Sequence, residues 1–140
     1  GMDGEARIQV RLPPDGTLLL GRFDFVQALR ALVNLLENAL RHSPPQQPVE
    51  VEVLRDGADL IFKVLDRGPG IPEKNTERIF EPFFRPEERE GPTPGGVGLG
   101  LAITKRAAEL QGGSVTYSPR PGGGSVFELR LPAADLGDTS

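Results

Sequence analysis

Apolar residues recur at helical spacing in two parts of this 140-residue chain. Steps of three and four predict an amphipathic helix over about 24–41, with Asp24 as its cap and the proline-containing run 43–45 as its end. A second helix is predicted over about 99–110, ended by the glycine pair 112–113. The apolar faces of the two helices comprise Phe25, Leu29, Leu32, Leu36 and Leu40, and Leu99, Ile103, Ala107 and Leu110.

Alternation of apolar and polar residues predicts strands on both sides of each helix. Turn residues between neighbouring strands predict three hairpins, and the second hairpin delivers Asp66 to the end of its return strand. This order favours a two-layer α+β sandwich, with helices on one face of a mostly antiparallel or mixed sheet. The predicted strands are 8–12, 17–20, about 49–53, 60–65, 115–117 and 125–131.

The composition excludes several kinds of site. The chain has no cysteine and a single histidine, His42, so it can build neither a disulfide nor a zinc cluster. Its net charge of −4, from 16 basic and 20 acidic residues, argues against nucleic acid as a partner. No apolar run approaches the ~18 residues of a membrane-spanning helix, and no signal peptide is visible.

Glycine and proline are crowded into one part of the chain. Of the 18 glycines and 14 prolines, thirteen lie within 66–100, between well-patterned segments. This placement indicates a site built from glycine rather than a flexible linker. We expect one domain over 8–132, preceded at 1–7 by a cloning remnant and leader, and followed at 133–140 by a frayed tail.

One face of the first predicted helix carries polar residues of an unusual kind. Asn34, Asn38 and Arg41 stand at i, i+4 and i+7, and therefore share a face. A solvated helix face would explain them, but asparagine is a poor helix former. Amide oxygens suit a hard cation such as Mg²⁺, and arginine suits phosphate. His42, which comes next, is expected to interact with the helix dipole rather than to accept phosphate.

Glycines follow Asp66 and precede the second helix. Gly68 and Gly70 would let a flat ring approach the backbone while Asp66 accepts a hydrogen bond from its amino group, although an ordinary turn remains open. The glycines at 95–100 would free backbone N–H groups for phosphate at the helix start. Neither common phosphate motif fits, because GxxxxGK[ST] is absent and Leu101 stands at the third place of GxGxxG. A further run, 122–125, alone favours a flexible hairpin turn.

In this order and at these spacings, the motifs resemble the catalytic, ATP-binding domain of sensor histidine kinases, which has the Bergerat (GHKL) ATP-binding fold. The resemblance covers about residues 8–132. It implies a two-layer α/β sandwich, with about three helices on one face of a mixed sheet of about five or more strands. The matching segments are 34–39 for the N box, 66–70, 96–101 and 122–125 for three glycine boxes, and 79–85 for the F box.

The resemblance also implies roles for matching residues. Asn38 would coordinate Mg²⁺, Asn34 would support the metal and the phosphates, and Arg85 would contact the γ-phosphate, which makes these three the catalytic candidates. Asp66 would accept from the adenine amino group, and residues 86–95 would form a lid. Arg89 departs from the usual spacing and receives no role. The implied ATP-binding residues are Asn38, Arg41, His42, Asp66, Gly68, Gly70, Ile71, Gly96, Gly98, Leu99, Gly100, Leu101 and Ser125.

The implied reaction is transfer of the γ-phosphoryl group of Mg·ATP to a histidine on a separate dimerisation and phosphotransfer domain of the same protein. A cognate response regulator would be the next partner. The isolated domain would be monomeric, and the full-length protein would be a homodimer with this domain in the cytoplasm and an attachment to the inner membrane.

Two alternative functions remain open at this point. The first is a serine kinase of the anti-sigma-factor type, which has the same fold. Such kinases usually carry Glu at the position of Asn34 and lack a strong F box. ATP-hydrolysing relatives also carry Glu at that position. Asn cannot act as a general base, so Asn34 disfavours hydrolysis. A catalytically silent nucleotide-binding or docking module is the second alternative.

Overall fold

The computed structural model describes residues 8–12, 24–82, 84 and 100–133. Within these residues the chain forms five strands, two α-helices and two single turns of 3₁₀-helix at Glu73–Asn75 and Arg78–Phe80. The elements are β1 Ile8–Arg11, α1 Phe25–His42, β2 Val49–Asp56, β3 Asp59–Asp66, α2 Gly100–Leu110, β4 Ser114–Pro119 and β5 Ser125–Pro132.

The five described strands form one mixed sheet in the order β1-β2-β3-β5-β4. β1 runs parallel to β2, which is possible because α1 provides the crossover between them. The remaining neighbours are antiparallel, including the predicted hairpins β2–β3 and β4–β5. The predicted strand 17–20 and its hairpin with 8–12 lie outside the described residues.

Helix α1 begins and ends close to the predicted bounds. The Asp24 carboxylate accepts hydrogen bonds from the backbone N–H groups of Val26 and Gln27, at 3.0 and 3.2 Å, which confirms Asp24 as the cap. The helix ends at His42, where the N–H of Ser43 donates to the carbonyl of Ala39 at 2.9 Å.

The buried face of α1 agrees with the predicted one in part, because Leu32, Leu36 and Leu40 pack against the core, whereas the buried face of α2 differs from the predicted one. In α1 the innermost line consists mainly of small residues, whereas Leu29 is 52% exposed. In α2 the predicted apolar face is largely outside, with Ile103 56% and Leu110 69% exposed. The two helices contact each other, and small residues occupy most of their fully buried positions, which allows close packing. The inward-facing residues are Ala28, Ala31, Leu35 and Ala39 in α1, and Leu101, Thr104 and Ala108 in α2.

The core lies between the helices and one face of the sheet. Alternate residues of β5 point into it, and Phe127 at its centre contacts the rings of Phe80 and Tyr117, at centroid distances of 6.3 and 5.4 Å. This arrangement confirms the predicted two-layer α+β fold. No helix in the described parts of the chain is both long enough and apolar enough to cross a membrane.

The last described residue remains attached to the sheet. Ala133, which the sequence places at the beginning of the tail, is buried, and its N–H donates to the carbonyl of Ala58 at 2.8 Å. The division of the chain into leader, domain and tail otherwise stays a prediction.

Candidate nucleotide-binding site

The carboxyl end of β3 brings an acidic side chain into the protein interior. Asp66 is the last residue of this strand, is 2% exposed, and shares the core-facing side of the sheet with Val64, because side chains alternate along a strand. Ser125, the first residue of β5, is also buried and stands opposite Asp66 in the β3–β5 register. The acid singled out in the sequence therefore lies where two neighbouring strands end and begin.

Burial dominates the electrostatics of Asp66. Loss of water around the carboxyl raises its pKa above the ordinary 3.8, while the backbone N–H groups of Gly68 and Ser125 and the charge of Arg120 act in the opposite direction. The N–H of Gly68 donates to Oδ1 at 2.8 Å. A carboxylate can accept about four hydrogen bonds, so Asp66 has capacity for a donor on a ligand.

Gly68 is required by the packing of its loop against the end of α1. A Cβ atom at this position would lie 2.7 Å from the carbonyl oxygen of His42 and 3.1 Å from Oδ1 of Asp66. No side chain fits there without displacing the helix end. The loop after β3 therefore packs directly against the backbone of His42, the last residue of the asparagine-bearing helix.

The turn between β4 and β5 also presses on Asp66. We call residues 120–124 the glycine turn. Gly124 has φ of +118°, and a Cβ atom on it would lie 1.9 Å from the carbonyl oxygen of Asp66. The backbone of β5 thus approaches the end of β3 more closely than any other residue type permits.

Two arginines hold the glycine turn in place. Nη1 of Arg67 donates to the carbonyls of Pro121 and Gly123, at 3.1 and 3.0 Å. Arg120, whose side chain is nine-tenths buried, pairs with the carboxylate of Glu50 on β2. These contacts attach the glycine turn to Arg67 and to β2.

The loop over residues 67–71 is also attached at both of its ends. The N–H of Arg67 donates to Oγ of Ser43, just beyond α1, at 3.5 Å. The N–H of Ile71 donates to the hydroxyl of Tyr117 on β4, at 3.1 Å. Residues from the helix layer and from the sheet therefore set the position of the loop that follows Asp66.

The asparagine face of α1 is only partly solvated. Asn34 and Asn38 are half-buried, whereas Arg41 is exposed. Nδ2 of Asn34 donates to Oγ1 of Thr104 on α2 at 3.3 Å, and that hydroxyl donates to the carbonyl of Gly100 at 2.8 Å. The first asparagine of the motif is therefore part of the contact between the two helices.

The described residues contain no group of three or more His, Cys, Asp or Glu side chains able to hold a metal ion. The amides of Asn34 and Asn38 on α1 offer neutral oxygens, a type of ligand that Mg²⁺ accepts alongside oxygens of a bound molecule. This donor set fits Mg²⁺ delivered with a polyphosphate.

A family model decides the classification. The model described as histidine kinase-, DNA gyrase B- and HSP90-like ATPase matches residues 24–135. The chain belongs to this ATPase family. Membership implies that the domain binds ATP.

The similar curated proteins include a sensor-like histidine kinase and a sensor protein. Sensor-like histidine kinase SenX3 of Mycobacterium tuberculosis (strain H37Rv) is 41% identical over 129 residues, which are 91% of this chain and 31% of SenX3. Alginate biosynthesis sensor protein KinB of Pseudomonas aeruginosa is 38% identical over 130 residues, which are 92% of this chain and 21% of KinB. The chain thus spans less than a third of the length of either relative.

Solved structures of histidine kinases have the same fold as this chain. The mycobacterial sensor histidine kinase MprB matches with a TM-score of 0.78 and 30% identity, over 93% of this chain and 85% of that one. The nucleotide-free catalytic domain of histidine kinase ThkA matches with 0.75 and 27% identity, over 90% and 80%. Full-length ShkA in complex with AMPPNP matches with 0.73 and 28% identity, over 92% and 26%. The present chain corresponds to the ATP-binding catalytic domain of sensor histidine kinases, which confirms the resemblance.

The structure of this kinase domain brings together only part of the predicted site. His42, Asp66, Gly68, Gly70, Ile71 and Ser125 gather around the end of β3. Gly100 begins α2, and Leu101 packs on the core. The catalytic candidate Arg85, the lid 86–95 with Arg89, and Gly96, Gly98 and Leu99 lie outside the described residues, so their roles stay predictions.

Sequence reasoning missed four side chains that build the site: Ser43, Arg67, Thr104 and Tyr117. Thr104 gave a usable signal, because it is a polar residue in helical phase with Leu101 and Ala108. The other three act through backbone partners that are distant in the chain, and no sequence spacing reveals such partners.

The close approach of the glycine turn predicts a difference between two neighbouring alanine substitutions. Gly123→Ala and Gly124→Ala both force alanine to a positive φ, but only the Cβ at 124 meets the backbone of Asp66. Urea unfolding should show that Gly124→Ala loses roughly 2 kcal/mol more than Gly123→Ala, because β3 and β5 must separate. Equal losses would show that the turn moves freely.

The raised pKa of Asp66 predicts a pH-dependent cost to stability. Asp66→Asn keeps an oxygen for the N–H of Gly68 but carries no charge. Because the folded-state pKa lies above 3.8, the wild-type domain should lose stability relative to Asp66→Asn as the pH rises from 3.8 to that pKa, with a constant difference above it. Urea unfolding of both proteins from about pH 4 to 8 measures this difference. A wild-type domain that gains on the variant as pH rises would contradict it.

Proposed function

We propose that this domain binds Mg·ATP with its adenine against Asp66, and that it supplies the γ-phosphoryl group to a histidine on a separate dimerisation domain. The observation that carries the proposal is a buried carboxylate with free acceptor capacity, enclosed by loops that side chains hold in place. The sensor kinases that match the chain support the reaction type.

Adenine recognition needs a donor–acceptor pair and a flat space. The exocyclic amine of adenine would donate to the carboxylate of Asp66, which replaces part of the hydration that burial removes from the acid. Gly68 and Gly70 let the loop after Asp66 pack closely on the end of α1 and on the glycine turn, and Ser125 offers a hydroxyl beside the acid. Ile71 and His42 border the same region.

The phosphates and the metal would lie towards the asparagine face of α1. Asn38 would coordinate Mg²⁺ and Asn34 would support it, since neutral amide oxygens suit a cation whose charge the phosphates already balance. When bound, Mg²⁺ neutralises charge that develops on the transferring phosphoryl group. Arg41 would contact phosphate, and Arg85 would contact the γ-phosphate. The backbone at Gly96, Gly98, Leu99, Gly100 and Leu101 would complete the phosphate contacts.

The chemistry requires positioning more than a base. An imidazole with an ordinary pKa of ~6.5 is largely unprotonated at neutral pH and can attack the γ-phosphate directly. The domain's task is then to hold the nucleotide in line and to balance charge. The amide of Asn34 cannot activate water, which favours transfer to histidine over hydrolysis.

The wider assembly follows from the same proposal. The partners would be the dimerisation and histidine-phosphotransfer domain of the parent protein and a cognate response regulator, with no nucleic acid. The isolated domain would be a monomer and the parent a homodimer attached to the inner membrane, with this domain in the cytoplasm. The lid's role in closing over ATP belongs to this proposal as well.

Nucleotide titrations of the isolated domain test the proposal. A fluorescent ATP analogue should bind in the presence of Mg²⁺, and Asp66→Asn should weaken binding by about tenfold or more, because its amide NH₂ would face the adenine amine. Asp59→Asn is the matched control, since Asp59 begins the same strand and pairs with Arg130. Absence of binding, or equal affinity for wild type and Asp66→Asn, would refute the adenine assignment.

The same protein incubated with labelled ATP should carry no acid-labile phosphate, because the acceptor histidine is expected on the separate domain. Stable labelling of His42 would contradict this assignment.

A further inference from the structure

Thr104 is a buried polar residue on the inward face of α2. It is 0% exposed and lies between the apolar residues Leu101 and Ala108 on that face. A buried hydroxyl needs a hydrogen-bond partner, and Oγ1 of Thr104 has one in the carbonyl oxygen of Gly100, one turn earlier, at 2.8 Å.

The hydrogen count of this hydroxyl determines how Asn34 is oriented. A threonine hydroxyl has one hydrogen, and the bond to Gly100 uses it, so Oγ1 can only accept from a second partner. That partner is Nδ2 of Asn34, at 3.3 Å. Because the two polar atoms of a carboxamide lie on opposite sides of the group, Oδ1 of Asn34 is turned away from Thr104.

We propose that Thr104 is a positioning residue that presents the carboxamide oxygen of Asn34 to the Mg²⁺–phosphate part of the ligand. The inference rests on the proposed function, in which Asn34 supports the metal. It adds that the orientation of this group is set from α2, through a chain of two hydrogen bonds that starts at Gly100. Partners of this kind commonly change metal affinity by about 10- to 100-fold when removed.

The geometry explains why a hydroxyl is needed at this position. Without it, the amide of Asn34 would have no acceptor on α2 and would be free to turn its NH₂ towards the cation, where only an oxygen is useful. Thr104→Val keeps the shape of the side chain and removes both hydrogen bonds. Thr104→Ser keeps the hydroxyl and removes one methyl group.

The test is the gain in affinity for a fluorescent ATP analogue when Mg²⁺ replaces EDTA, measured on the 140-residue domain. Thr104→Val should reduce this gain by roughly tenfold, with little change in the affinity measured in EDTA. Thr104→Ser should retain most of the gain. In an Asn34→Ala background, Thr104→Val should cause no further loss of the gain, because the two residues act through one interaction.

The outcomes separate this inference from the proposed function. A wild-type domain that binds no nucleotide, or that shows no gain with Mg²⁺, overturns the proposed function. A wild-type gain that Thr104→Val leaves intact overturns the positioning role alone, as does an equal loss in Mg²⁺ and in EDTA.

A measurement on the wild-type domain needs no folded variant at residue 104. The side-chain NH₂ signal of Asn34, assigned by its absence from Asn34→Ala, should include a proton that exchanges with water more slowly than those of the exposed Gln46. Equal exchange rates for the two side chains would overturn the hydrogen bond on which the inference rests.

Discussion

Burial of the Asp66 carboxylate is the constraint around which the site is organised. A charged group that loses water must be compensated, and here the compensation comes from backbone N–H groups and from the charge of Arg120. Backbone donors reach the carboxylate of Asp66 only because Gly68, in the loop after β3, and Gly124, in the glycine turn, allow the backbone to approach it closely. The remaining acceptor capacity is available to a ligand, so the feature that costs stability is the feature that we propose to recognise adenine.

The same contacts connect the acid to the helix layer. Gly68 packs on the last carbonyl of α1, and the hydroxyl of Ser43 accepts a hydrogen bond from the loop beyond Asp66. These contacts connect the helix that carries Asn34 and Asn38 to the strand that carries the acid. Asn34 in turn contacts α2 through Thr104. The group proposed to recognise the base and the group proposed to support the metal therefore belong to one connected set of contacts, which is what phosphoryl transfer by positioning requires.

The sequence predicted what depends on neighbouring residues. The Asp24 cap, the β2–β3 turn and the placement of Asp66 at a strand end all follow from short-range rules, and the structure agrees. The helix faces were predicted only in part: Leu32, Leu36 and Leu40 pack against the core, whereas Leu29, Ile103 and Leu110 are exposed. Large apolar residues dominate a periodicity, although small residues occupy most of the fully buried helix positions. The parallel pairing of β1 with β2 and the contacts of Arg67 with the glycine turn depend on partners that are distant in the chain, which local patterns do not specify.

The central claim is that Asp66 accepts a hydrogen bond from the amino group of adenine. Calorimetric titration of the domain with ATP and with ITP, both with Mg²⁺, tests it most directly, because the two nucleotides share ribose and phosphates but ITP lacks the amino group. The account predicts that ITP binds about tenfold or more weakly than ATP. Equal affinities would contradict it, because they would show that the buried acid does not read the base.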